Sequence, residues 1–285
     1  MHEFLHILEH TFLDTIKLLP FLLIAFFIIE YIEHKLSSKS QKIISKSGKF
    51  GPVLGSLLGL IPQCGFSVLA TNLYITRIVS LGTLIAIYLS TSDEMLPILL
   101  SEKVPASQII LILGIKFIVG LIAGIIIDLI FHKKEKQEES YDICEHEHCG
   151  CHHENSLIKS SIIHTLKTIL FIFVATFIIN IAFEYGEEQF LSKILLKDTI
   201  FAPFITSLIG LIPNCGSSVV LTELYLNNAL SLGSALAGLL TNSGVAILVL
   251  FKSNKDLKDS FKVLGLTYSI GVITGIIIEI ITLII

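Results

Sequence analysis

Two short elements set metal-ligating and nucleophilic side chains inside strongly apolar sequence: Pro62-Gln63-Cys64-Gly65 and Pro213-Asn214-Cys215-Gly216. A thiol is a soft metal donor and a nucleophile, and the neighbouring amide offers both hydrogen-bond donors and acceptors. Glycine lets the backbone turn with positive φ and allows a ligand to approach closely. Each element is followed by a second polar cluster, Ser90-Thr91-Ser92-Asp93-Glu94 in one case and Thr241-Asn242-Ser243 in the other. Hydroxyl, amide and carboxylate oxygens form the donor set that hard cations prefer. A third group, within residues 132–154, gathers His132, Cys144, His146, His148, Cys149, Cys151, His152 and His153, eight imidazoles and thiols suited to zinc-like ions.

The first two elements are copies of one another. Residues 55–82 and 206–233, aligned at an offset of 151, are identical at 16 of 28 positions. The similarity continues outward: Leu113-Gly114, Gly120, Gly124 and Asp128 match Leu264-Gly265, Gly271, Gly275 and Glu279. The background is membrane-like. Of the 285 residues 53% are hydrophobic and only 15% charged, and the formal charge of −4 has no basic stripe for nucleic acid. The N-terminal segment lacks a basic start and a small-residue cleavage site, so residues 11–34 read as a retained membrane helix. In lipid a broken helix frees backbone polar groups, which only protein or a water-filled cavity can satisfy. Two such breaks at corresponding places in two halves point to the binding site of a transporter.

Six full spans are expected, over residues 11–34, 79–100, 108–131, 161–184, 229–251 and 263–285. Segments 51–75 and 201–226 carry the Pro-x-Cys-Gly breaks at their centres. About 12 residues on either side reach ~18 Å, half-way across the hydrocarbon layer, so both are read as re-entrant hairpins. Charge supports this. Lysines crowd the connections after the first, third and fifth spans, and six crossings that start outside place 14 of the 17 basic residues in connections on the cytoplasmic side. The expected fold is an all-α polytopic membrane protein with an inverted-topology repeat. Each half has three full spans and one hairpin, about ten helical segments in all. Residues 1–131 form the first repeat, 132–157 a cytoplasmic His/Cys-rich linker and 158–285 the second repeat, with both termini outside the cell membrane.

The hairpin tips and the span breaks are the candidate transport site: Gln63, Cys64, Gly65, Ser90, Thr91, Ser92, Asp93, Glu94, Asn214, Cys215, Gly216, Thr241, Asn242 and Ser243. Asp93 and Glu94 match Gly244 and Val245, so the carboxylates break the symmetry. An ion at mid-helix is costly and needs a partner or a function. Either carboxylate could bind a cation or carry a proton, or one could serve as the counter-ion of Lys116 in the next span. Pro97 is expected to distort the helix at Asp93. Asp128 and Glu279 lie near span ends, where they can snorkel and act structurally. The mid-helix glycines at 114, 120, 124, 265, 271 and 275 are expected to permit close packing. An intramembrane enzyme would need a base beside Cys64 or Cys215; only His164, near a span end, is available, so the chain is not expected to be an enzyme.

In the linker, Cys144, His146, His148, Cys149, Cys151, His152 and His153 are the expected ligands of Zn²⁺ or a similar ion, on a flexible tether rather than a folded finger. The reducing cytoplasm would keep the cysteines as thiols. No other bound cofactor is expected. The expected partners are the transported ion and the bilayer, with no nucleic acid; self-association into a homo-oligomer is left open.

The doubled Gly-Leu-Ile-Pro-[Gln/Asn]-Cys-Gly element, each copy followed by a Ser/Thr-rich break, resembles the ten-segment heavy-metal exporter family. Its members are labelled arsenic-efflux proteins or manganese transporters. More distantly, the Ser-Thr-Ser-Asp-Glu stretch is similar to the arsenical permease arrangement. The resemblance covers the chain apart from the linker, and implies export of a metal or metalloid through the hairpin tips and breaks. The oxygen-rich donor set favours a divalent transition metal, manganese ahead of zinc, cobalt and nickel; arsenical efflux is the alternative, and a metal sensor a third reading. No phosphate-binding Gly-x-x-x-x-Gly-Lys-[Ser/Thr] loop is present, so the energy would come from an ion or proton gradient.

Overall fold

The computed structural model describes residues 50–131 and 201–284 apart from 63, 94 and 215, together with scattered positions between 8 and 27 and between 162 and 177, all helical. The expected spans 11–34 and 161–184 are therefore seen only at those positions, where Phe12 meets Phe173 edge to face at 6.5 Å. The linker 132–157, with all its expected ligands, lies outside the described residues.

The first half comprises α1 (Gly51–Gly59), α2 (Cys64–Ile75), α3 (Leu81–Ser90), α4 (Met95–Ser101) and α5 (Ala106–Phe131). The second repeats the order in α6 (Ala202–Gly210), α7 (Gly216–Leu226), α8 (Leu232–Thr241), α9 (Ala246–Ser253) and α10 (Leu257–Ile284). Among the described residues four stretches are long and apolar enough to cross a membrane: Leu81–Ser101, Ala106–Phe131, Leu232–Ser253 and Leu257–Thr282. The first and third are the interrupted pairs α3–α4 and α8–α9, and they are largely buried. The continuous α5 and α10 lie outside them and turn Ile118, Ile122, Leu129, Ile273 and Ile277 outward.

Segment 51–75 folds as a helical hairpin. Gly51 lies against Thr83 and Gly59 against Ser90, so α1 runs parallel to α3. Ser67 bonds Thr91 and Thr71 bonds Tyr88, so α2 runs back the other way. Residues 51 and 75 thus lie at the same end of α3. At 1.5 Å per residue, arms of 9 and 12 residues reach about 14–18 Å, half a bilayer. Proline in the first turn opens both α1 and α6, where its missing N–H costs nothing.

Small residues set the spacing, and both halves use them identically. A Cβ on Gly59 would stand 2.8 Å from the Ile87 carbonyl oxygen, and one on Gly210 would stand 2.1 Å from that of Gly238. Gly124 meets the Gly82 carbonyl and Gly275 that of Gly233, while Gly120 and Gly271 meet the carbonyls of Ala86 and Ala237. Such close approach replaces the hydrophobic drive that lipid cannot supply. Gly114 and Gly265 depart from expectation, since no described residue lies within 4 Å of a Cβ placed on either. Asp128 and Glu279 are structural, but they turn inward rather than snorkel. Asp128 accepts from Ser80 Oγ (2.7 Å) and Gly82 N–H (2.8 Å), and Glu279 accepts from Ser231 Oγ (2.5 Å). Each sets a carboxylate at the N-terminus of a buried helix, where the dipole favours it.

Two apolar cores result, and each joins the halves. One packs Val68, Tyr74, Leu84, Tyr88 and Ile127 with Ala246, Val249, Leu250 and Val263. The other packs Met95, Leu99, Ile109 and Ile112 with Ile209, Leu221, Leu236 and Leu239. The breaks make this exchange possible: α9 leaves its own half to cover hairpin α1–α2, and α4 leaves its half to reach α7. Lys262, in the first turns of α10, stands 3.9 Å over the ring of Phe131 at the end of α5. The equivalent helices α5 and α10 therefore bring opposite termini to one end of the molecule.

Candidate transport site

Both interrupted spans break at matching positions. Asp93 has φ 26° and its counterpart Gly244 has φ 57°. Glycine adopts this left-handed region freely, whereas aspartate is among the few other residues that tolerate it, at a cost. A carboxylate is thus held at a position whose sibling takes the easy residue. Pro97 is not the cause of the break. It occupies the first turn of α4, and the second span breaks at the same place with Leu248 at the matching position. The tip glycines were expected to turn the chain; instead Gly65 lies within α2 and Gly216 opens α7, and the only described glycine with positive φ is Gly244.

The first break is tied to its hairpin. Ser92 Oγ donates to the Leu60 carbonyl at 2.9 Å, fastening the tip to the broken strand of helix. Thr91 donates its one proton to Ile87 O (2.7 Å), so Ser67 must donate to Thr91 across 2.9 Å. By the same reasoning Thr71 gives its proton to Ser67 O (2.7 Å) and receives that of Tyr88 at 2.6 Å. Ser90 closes on Ala86 O at 2.7 Å. The second break differs in detail. The Thr241 hydroxyl lies 3.0 Å from Ser207 O, Asn242 Oδ1 accepts from Gly244 N–H at 2.9 Å, and Asn214 Oδ1 accepts from Gly216 N–H at 3.1 Å. Ser243 is wholly buried, and its Oγ has no hydrogen-bond partner among the described residues.

The charges join the two breaks. Lys116, mid-way along α5, is 0% exposed and donates from Nζ to the Leu239 carbonyl at the C-terminal end of α8. Asp93, 3% exposed, acts on it electrostatically. Asp93 is thus the described carboxylate whose charge acts on Lys116. Gln63, Glu94 and Cys215 lie outside the described residues, and Cys64 is the first residue of α2. Among the described residues no three His, Cys, Asp or Glu side chains form a group able to hold a metal ion. Sequence reasoning missed Ser67, Thr71 and Tyr88. A signal was available for two of them: Ser67 and Thr71, one turn apart in an apolar helix, recur as Ser218 and Thr222.

The described helices form interrupted spans packed with helical hairpins, and buried hydroxyl, amide and carboxylate groups gather at the breaks. The profile of a family described as "Putative, 10TM heavy-metal exporter" matches residues 4–190 and 170–283. The chain belongs to this family. Ten segments agree with six spans plus two hairpins of two helices each, and the exporter family is that of a multi-pass membrane protein. Searches of curated proteins and of solved structures found no match.

Proposed function

We propose that this exporter carries a divalent transition-metal ion out of the cell, manganese ahead of zinc, cobalt and nickel, by alternating access between two inverted halves. The observation that carries the reading is the buried bond from Lys116 to the Leu239 carbonyl, which joins the halves at the second break within electrostatic reach of Asp93 at the first. A buried charged cluster is too costly to persist in a membrane without function. The breaks carry hydroxyl, amide and carbonyl oxygens, and the buried Ser243 hydroxyl, without a hydrogen-bond partner among the described residues, would be a further oxygen ligand. Hard or borderline divalent ions take such oxygen sets, with Cys64 and Cys215 as softer donors at the tips.

The opposed termini of α5 and α10 support inversion of the halves, and arms of half-bilayer length support re-entrant hairpins meeting at the midplane. Arg77, Lys252, Lys255, Lys258 and Lys262 gather at the end that carries the hairpin α1–α2 base and the start of α10, whereas Lys103 stands at the opposite end. By the positive-inside rule the former faces the cytoplasm, with linker 132–157 on that side and both termini outside. There the His and Cys residues of the linker would collect Zn²⁺-like ions for delivery.

Expression in a metal-sensitive bacterial host tests the reading, with tolerance and cell content scored for Mn, Zn, Co, Ni, Cd and arsenite. Lower Mn content and higher Mn tolerance are expected, both lost in Asp93→Asn. Protection against arsenite alone would replace the divalent ion with the arsenical. Deleting residues 132–154 separates carrier from sensor, since a carrier keeps part of its flux.

A further inference from the structure

Lys116 is the one described basic side chain that links the halves at the breaks, and neither the family nor the donor set explains a basic group there. A carrier for positive ions gains nothing from a fixed ammonium in its path unless that ammonium takes part. Three observations bear on its role. Lys116 is completely buried, so its charge needs negative partners, and those at hand are the Asp93 carboxylate and the carbonyl end of α8. The C-terminus of a half-helix is where the dipole is negative, which suits a cation. The repeat also shows that the charges came as a pair: the counterparts of Lys116 and Asp93 are Thr267 and Gly244, both neutral. Thr267 bonds within its own helix, to Val263 O at 2.9 Å, and bridges to no other described element.

We propose that Lys116 is a tethered cation that fills the translocation site of the empty carrier and must withdraw from the Leu239 carbonyl and Asp93 before a cargo ion can bind there. The idea rests on the cation-export reading above and deepens it. Empty, the site is neutral. A divalent ion added beside an unmoved ammonium would leave two uncompensated positive charges in a poorly screened interior. Exchange of one cation for the other keeps the site occupied in both conditions. The long flexible stem of lysine suits such withdrawal. Lys116 thus sets the affinity: it lowers cargo binding enough for release on the far side.

The test is Mn²⁺ binding to the purified full-length chain in lipid nanodiscs, followed by the electron-spin signal of free Mn²⁺. Lys116→Thr installs the residue of the matching position in the other half, and Lys116→Met preserves length if the first variant does not fold. Binding about tenfold tighter than wild type is expected in either variant, with binding weakened in Asp93→Asn. Equal or weaker binding in the Lys116 variants overturns the proposal, because a merely structural bridge would loosen the site when lost. If wild type binds and Asp93→Asn does not, while Lys116→Thr shows no gain, only the tethered-cation idea fails. If no protein in the set binds Mn²⁺, Zn²⁺, Co²⁺ or Ni²⁺, the divalent-cation reading fails with it.

Discussion

The two ends of the molecule are built from equivalent helices in exchanged roles, yet they close differently. At the α2/α9 end Tyr74 is 1% exposed and its hydroxyl lies 2.9 and 2.8 Å from the two oxygens of Asp259, which also accepts from Asn254 Nδ2 at 3.1 Å. Arg77 stacks over the same ring at 5.6 Å. At the α4/α7 end the counterpart of Tyr74 is Tyr225, which is part-exposed, and the counterpart of Asp259 is Gln108, which is exposed and uncharged. The bias continues along the helices. Asn72 and Thr76 are buried where Glu223 and Asn227 are exposed, and Ile75 is buried where Leu226 is not. A near-symmetric scaffold thus carries one latched end and one looser end. The latch depends on a carboxylate that only one half possesses.

If the scaffold is shared and only the ends differ, damage to its close contacts must be equal in both halves. Gly82→Ala would bring a Cβ within 2.1 Å of the Gly124 carbonyl oxygen, and Gly233→Ala, its counterpart, within 2.6 Å of that of Gly275. Backbone cannot yield cheaply to either, so each should cost about 3 kcal/mol or more, read as a lost thermal transition or a failure to purify as a single species. Gly114→Ala and Gly265→Ala, which meet no described neighbour, should stay within about 1 kcal/mol of wild type, and a better helix former could raise stability. Unequal effects of the Gly82 and Gly233 variants would break the comparison at its base.

The next largest effect separates the ends. Removing the latch with Tyr74→Phe or Asp259→Asn takes away hydrogen bonds to a charged group, worth about 1.5–3 kcal/mol. The α2/α9 end should then open, measured as faster thiol labelling of a cysteine introduced at Leu250, which is 0% exposed. Tyr225→Phe should leave labelling at either end unchanged. Equal labelling in all three variants would mean that the latch holds nothing shut.

Much of this was legible in the sequence, for local reasons. Proline, an amide, cysteine and glycine in an apolar run announce a break, and the hairpins fall within the expected bounds. The runs of Ser and Thr mark the span breaks, because their hydroxyls bond nearby carbonyls and compete with the helix ladder. What escaped was non-local or shared between halves. Lys116 and Leu239 are 123 residues apart, and no pattern in either segment names the other. Tyr74 and Asp259 are separated by 185 residues and belong to different halves. The exchange of α4 and α9 between halves follows from where the breaks aim the chain, which depends on the φ values of Asp93 and Gly244 rather than on composition. The cause of the break was misassigned to Pro97 because a proline inside a span draws the eye, while the control, Leu248 in the sibling span, was in the sequence throughout.

The smallest effect is the most searching, because it adds an interaction instead of removing one. Gln108→Asp places at the looser end the carboxylate that the repeat offset of 151 assigns opposite Tyr225, as Asp259 stands opposite Tyr74. In the form described Tyr225 is part-exposed and Gln108 is exposed, so stability in that form should change by less than about 0.5 kcal/mol, as for a surface substitution. In the converse form, where the α4/α7 end closes, a Tyr–carboxylate bond should contribute about 1 kcal/mol, a roughly fivefold shift in population. Labelling of a cysteine introduced at Leu99, which is 0% exposed, should slow by that factor, while labelling at Leu250 should quicken. The opposite signs at the two ends are the point. A surface charge with only local influence would change neither, and a general loosening of the fold would quicken both. Only halves that trade shapes through one shared equilibrium require that closing one end opens the other.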